Sequence, residues 1–121
     1  FYYLLGNGQQ LMNIDFANGK LRRQLESDKE LRKAYGDRAG RLKMRLAVLE
    51  QANNLSEVPT ESPDRCHQLD GKWAGCFAVA ITGNWRLIFE PDHDPVPIRD
   101  DGGIDRAAVV AIRIRDIVDY H

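Results

Sequence analysis

The hydrophobic pattern changes its period half way along this chain, and that change constrains the fold more than any other feature. Ala39, Leu42, Leu46 and Leu49 step by three, four and three, the spacing of one helix face. A polar stretch, 53–64, follows with Pro59 and Pro63. Beyond it the apolar residues come as strand-sized runs bounded by turn residues. Helices first and strands afterwards make an α+β chain, with the helices on one face of a sheet.

The local signals fill in this outline. Met12 to Ala17 reads as a short strand, with Ile14 and Phe16 on one face and Asn13 and Asp15 on the other. Asn18-Gly19 ends it, and Asn18 can cap a helix over Lys20–Tyr35 that carries Leu21, Leu25 and Leu31. Ser27-Asp28-Lys29-Glu30 has the capping-box spacing, so the helix is expected to break and restart there. Gly36 suits a helix C-terminus, and a second helix from about Asp37 to Ala52 completes a hairpin. Cys66–Leu69 is a short strand, and Trp73–Ile81 is a central strand covered on both faces. The Thr82-Gly83-Asn84 turn returns the chain along Trp85–Glu90. Pro91–Arg106 is an exposed excursion, and Ala108–Val118 closes the sheet, with Val110, Ile112 and Ile114 on one face and Arg113 and Arg115 on the other. The expected fold is an N-terminal strand and a two-helix hairpin packed on one face of a mostly antiparallel sheet of four or five strands. Residues 12–121 read as one domain, and 1–11 as an N-terminal extension or expression remnant.

Composition narrows the class. In 121 residues, 43% are hydrophobic and 29% charged, ordinary for one globular domain and too apolar for disorder. The longest apolar run, Ala107–Ile112, falls well short of the roughly 20 residues of a membrane helix. Phe1 to Leu5 lacks the basic start of a signal peptide. Two cysteines, Cys66 and Cys76, fit a reducing compartment, so a cytoplasmic protein without a membrane partner is expected.

The net charge of −1 divides unevenly: residues 1–58 hold ten Lys/Arg against seven Asp/Glu, and residues 59–121 seven against eleven. The basic residues crowd Lys20 to Arg45. A run of this kind can be a footprint for a phosphate backbone, although Asp28, Glu30 and Asp37 within it favour a solvated helix face. The excursion Asp92–Asp105 carries five acids and Arg99, so the rest of the chain is net positive at +3.

Few residues can carry chemistry. The three histidines are His67, His93 and His121. Cys66, His67, Cys76 and His121 are ligand types, but their spacing matches no zinc motif. Cys66 and His67 are also neighbours in a strand and point to opposite faces. No metal and no cofactor is expected, and the cysteines read as small buried residues. No phosphate-binding glycine loop or nucleophile elbow occurs. Arg86 stands inside the apolar run Trp85-Arg86-Leu87-Ile88-Phe89, where a charge must be paired or serve a site. It can bridge to Asp119 or Glu90, or clamp a phosphate with two parallel hydrogen bonds.

Three stretches together resemble a known family: His67-Gln68-Leu69-Asp70-Gly71-Lys72-Trp73-Ala74-Gly75, then Gly83-Asn84-Trp85-Arg86-Leu87-Ile88-Phe89, then Asp119-Tyr120-His121. They resemble the HigB-type toxins of the RelE/ParE superfamily of bacterial type II toxin–antitoxin systems, from Met12 to His121. The resemblance implies a ribosome-dependent mRNA endonuclease, or mRNA interferase, that inhibits translation. It also implies a HigA-type helix-turn-helix antitoxin as partner, with DNA reached only through the toxin–antitoxin complex.

The catalytic residues so implied are His67, Arg86, Asp119, Tyr120 and His121. Cutting RNA without a metal needs the 2′-oxygen deprotonated, the leaving 5′-oxygen protonated and the phosphorane charge held. His67 and His121 suit the proton transfers, each worth about 10²–10⁴-fold, and Arg86 the charge. Tyr120 suits positioning or stacking, and Asp119 suits orienting a histidine or the 2′-hydroxyl. Lys72, Arg41, Lys43 and Arg45 are the expected contacts to mRNA and ribosome. Where such toxins often carry a lysine this chain has Asp70; Lys72, expected on the same strand face, is the nearest cation. Two other readings stay open: a ParE-like gyrase inhibitor, and a weakly active homologue acting mainly as antitoxin partner and co-repressor.

Overall fold

The computed structural model describes residues 10–120. The N-terminal strand β1 is Asn13–Phe16, followed by helices α1 (Gly19–Glu26), α2 (Asp28–Tyr35) and α3 (Ala39–Gln51). Asn18 caps α1 by accepting from the Leu21 amide, and Ser27 caps α2 by accepting from the Glu30 amide. The break expected at Ser27 is therefore real, because its hydroxyl ends one helix's path and satisfies the first turn of the next. Gly36 closes α2 at φ +54°, a conformation that costs a residue with a Cβ.

Four strands follow: β2 (His67–Gln68), β3 (Phe77–Ala80), β4 (Trp85–Pro91) and β5 (Ala111–Asp119). They form one sheet with β1 in the order β1-β5-β4-β3-β2. Among these five strands the β1–β5 pair is parallel and the other pairs are antiparallel. The expected α+β architecture holds, with β1 added beside the last strand instead of beside its sequence neighbours.

Two strand boundaries differ from expectation. Trp73–Cys76 is not strand: a tight 3-10 turn spans Gly71–Trp73, and Gly71 and Gly75 sit at φ +63° and +86°. The glycines let the chain turn where the apolar pattern continues, so β3 begins only at Phe77. At the other end, a 3-10 turn at Arg106–Ala108 delays β5 until Ala111, and Val110 stands exposed before it.

The two faces of the sheet are unequal. Phe77, Val79, Leu87, Phe89, Ile112 and Ile114 point to the helices and join Leu21, Leu31, Leu42, Leu46 and Leu49 in the main core. Phe77 and Phe89 stack with ring centroids 6.0 Å apart. Burying each large side chain contributes about 1.5–3 kcal/mol, so this face holds the fold together. The opposite face carries only Leu69, Cys76, Ala78 and Ile88, with Trp73 and Val118 packed against them. Among the described residues no helix covers it, and it is the face on which polar side chains can meet a ligand.

Arg45 corrects an expectation. It is 4% exposed and cannot meet RNA. Its Nε donates to the Ala80 carbonyl at 2.6 Å and lies 3.7 Å from the Asp64 carboxylate, itself buried. Asp64 returns the link through its own carbonyl, which accepts from the Ala80 amide at 2.8 Å. The pair ties α3 and the loop before β2 to the end of β3.

Candidate active site

Strand register decides which of the candidate residues can work together. His67 stands opposite Ala78, Ala80 opposite Arg86, and Arg86 opposite Val118. Residues directly opposite one another share a face, so His67 and Arg86 both project from the open face. Between them lie Ala78 and Ala80, whose single methyl groups leave a shallow floor. The sequence pattern placed His67 and Arg86 in different strands; the sheet brings them to one surface.

Each is held from below. The His67 ring is exposed, with Nδ1 2.9 Å from the Arg65 carbonyl, which leaves Nε2 as its outward nitrogen. Arg86 is half-buried, and its Nη1 donates to the carbonyls of Gly83 and Trp85 at 2.8 and 2.9 Å. The turn between β3 and β4 therefore fixes the guanidinium through neutral acceptors. The alternative bridge to Glu90 is not made, since Glu90 faces Arg115 at 2.7 Å and Arg113 at 4.0 Å. An arginine anchored on carbonyls keeps its full charge for an anion.

The C-terminal candidates divide. Asp119 stands opposite Trp85, and Trp85 packs on the main core with the Arg38 guanidinium 3.9 Å from its ring. Register therefore puts Asp119 on the helix side of the sheet, apart from His67 and Arg86. Tyr120 follows on the other side of the chain; its amide donates to the Asn84 carbonyl at 2.8 Å and its side chain is exposed. That bond pins the end of β5 to the turn that carries Arg86. His121 lies outside the described residues.

The basic candidates also separate. Lys72 is exposed at the edge of the open face, with Nζ 5.4 Å from the Trp73 ring centroid. It belongs to the turn, not to a strand, so it does not share a strand face with Asp70 as expected. Arg41 and Lys43 are exposed on α3, in the helix layer on the far side of the sheet, and Lys43 pairs with Asp28 at 2.9 Å. That lysine holds the Asp28 carboxyl below its usual range.

Neither cysteine is suited to act as a nucleophile. Cys66 is buried in the main core while its neighbour His67 is exposed. Burial pushes the Cys66 thiol up to about 11, against a smaller opposing effect of Arg106. Burial likewise raises Cys76, which lies under the open face. Protonated thiols are poor nucleophiles.

Residues 14–97 match the family model described as the RelE-like toxin of the type II toxin–antitoxin system HigB. The chain belongs to this HigB-like toxin family. A type II toxin family implies an antitoxin partner. Among solved structures the chain is similar to a histidine-to-glutamine mutant of YafQ from E. coli, at 17% identity and TM-score 0.52, covering 88% of this chain and 90% of that one. It is similar also to YafQ from E. coli strain BL21(DE3), at 16% identity and the same TM-score of 0.52, covering 88% and 90%. At these identities the likeness is one of fold. No curated protein matches the chain. Among the described residues, no helix is long and apolar enough to cross a membrane.

Sequence reasoning missed how the open face is framed. It treated Trp73 as part of a strand, whereas Trp73 is the half-buried wall of a cleft at the far end of the open face. The signal was present in Gly71 and Gly75, which flank a tight turn.

Proposed function

We propose that this HigB-like toxin is a ribosome-dependent mRNA endonuclease that inhibits translation by metal-independent acid–base cleavage. What supports the reading is the register that sets His67 and Arg86 on one sheet face, with Ala78 and Ala80 of the intervening strand between them, in a chain of this family. His67 presents its Nε2 outward, with Nδ1 held by the Arg65 carbonyl, a group suited to moving a proton at the 2′-oxygen or the leaving 5′-oxygen. Arg86, anchored on two carbonyls, stabilises the phosphorane charge. His121, following Tyr120, supplies the second proton transfer, and Tyr120 positions or stacks against a base. Asp119, on the other face, acts by fixing the C-terminal residues. Lys72 contacts the message, and Arg41 and Lys43 contact ribosomal RNA from the helix side. The domain acting in this way is residues 12–121, and the antitoxin is a HigA-type helix-turn-helix protein through which alone DNA is bound.

The test is primer extension on an mRNA in cell-free translation, with the full chain added and with naked mRNA in parallel. Cuts within codons that appear only on translating ribosomes are expected, and His121→Ala is expected to abolish them while leaving antitoxin binding intact. No cuts, with translation undisturbed, would overturn the reading and point to gyrase inhibition or a partner-only role.

A further inference from the structure

The open face holds a second feature that this proton-transfer chemistry does not use. Beyond Ile88, a cleft of about 410 Å³ opens between the Gly71–Trp73 turn and the chain leaving β4, lined among others by Lys72, Trp73, Cys76, Glu90, Val96 and Arg115. Trp73 packs one side on the small cluster of Leu69, Cys76, Ala78 and Ile88, while Lys72 lies over its ring. An indole packed on one side against that cluster, lining a cleft, with a flexible lysine over its ring, offers a stacking surface when the lysine moves away. Sequence-tolerant stacking of this kind contributes about 1–3 kcal/mol per base.

Two further groups give the cleft its chemistry. Glu90 is partly exposed there and holds Arg115 through one oxygen at 2.7 Å, with Arg113 at 4.0 Å from the other. Arg113 is itself committed to Asp92 at 2.9 Å. The second Glu90 oxygen thus keeps lone pairs for donors entering the cleft. Arg115 and Lys72 supply positive charge at its mouth. Glu90 lies four residues from Arg86 on the same face of β4, a separation of about 13 Å at the usual strand rise. An extended RNA strand held at Arg86 can therefore lay a neighbouring base in the cleft.

We propose that this cleft binds a guanine base of the message, with Trp73 stacking on it, Glu90 accepting from its Watson–Crick edge, and Lys72 and Arg115 neutralising the adjoining phosphates. Guanine is the base whose N1–H and N2–H₂ offer two adjacent donors to one carboxylate. The proposal rests on the RNA-cleaving reading and adds to it the source of its sequence preference.

The chain's two tryptophans are Trp73 and Trp85, so Trp85→Phe leaves Trp73 as the sole emitter. In that background, 2′-O-methyl homotrinucleotides, which have no 2′-hydroxyl to react, are titrated while emission is followed. The guanine trinucleotide should quench at concentrations about tenfold below the uracil one, the size of one good paired contact. Glu90→Gln should remove that difference, and Lys72→Ala should weaken all four trinucleotides alike. Equal quenching by all four, or none, would overturn the proposal. Mapping cuts in cell-free translation separates the two readings. Cuts without guanine-selective quenching would sink the cleft assignment alone; guanine-selective quenching without cuts would sustain the cleft and overturn the nuclease.

Discussion

Two arginines of this chain show how differently the two faces of its sheet treat a charge. Arg45 lies on the helix-covered side, fully enclosed, bound to the Ala80 carbonyl and beside Asp64. Arg86 lies on the open side, half-buried and, among the described residues, bound to the carbonyls of Gly83 and Trp85. Both side chains lie near the same end of β3, on opposite faces, yet one charge sits beside a carboxylate while, among the described residues, the other is held by carbonyls. The covered face has a continuous apolar core and uses its buried charge as a tie. The open face has a small apolar cluster and directs its polar groups outward.

The largest expected effect tests the covered side. Arg45→Ala leaves Asp64 as a buried unpaired carboxylate and should destabilise the fold by about 3–5 kcal/mol. Urea denaturation followed by circular dichroism measures this; a loss under about 1 kcal/mol would mean that the pair is not a tie. Leu49→Ala, a cavity in the same layer, should cost about 2–5 kcal/mol, and its unfolding midpoint should fall in step.

The open side should answer differently. Arg86→Ala should lower mRNA cleavage about 10²–10³-fold, as removal of a charge-stabilising donor does, while its unfolding free energy in urea stays within about 0.5 kcal/mol of the parent. A large loss of stability would make Arg86 structural and erase the contrast between the two arginines. Cys66, whose thiol is held up at about 11, should resist alkylation at pH 8 until the chain unfolds. Rapid reaction under native conditions would show that the covered face opens.

The smallest effect concerns the Lys43–Asp28 pair on the exposed helix surface. Asp28 has its folded pKa lowered by Lys43, so the pair's contribution is present above the ordinary carboxylate pKa and is lost as pH falls through the folded value. Lys43→Ala should lower the thermal midpoint slightly at pH 7 and leave it unchanged near pH 2. The opposite order would assign that pKa shift to another group.

Much of this was legible in the chain itself. The helix breaks at Asn18, Ser27 and Gly36 follow from side-chain oxygens and a missing Cβ acting on neighbours a few residues away. The change from a 3.6-residue period to strand patterning gives the α+β class for the same local reason. The family read from the His67 and Arg86 stretches agrees with the match over residues 14–97, which ends before Asp119-Tyr120-His121. The end of a strand was harder to read: Trp73 continues an apolar run, and only the turn formed by Gly71 and Gly75 removes it from β3.

What tertiary structure alone decided is which residues share a surface. Arg41, Lys43 and Arg45 look alike along α3, but a helix turns each residue by about 100°, and the sheet beneath swallows Arg45 while leaving the other two in water. Asp119 and Tyr120 are neighbours, and strand alternation against Trp85 sends them to opposite sides. His67 and Arg86 are far apart in sequence, and only the register through Ala78 and Ala80 sets them on one face. Local propensity acts over a few residues, so the chain determined its own elements; faces and neighbours depend on pairings between distant segments, which are settled only when the sheet assembles and buries one side.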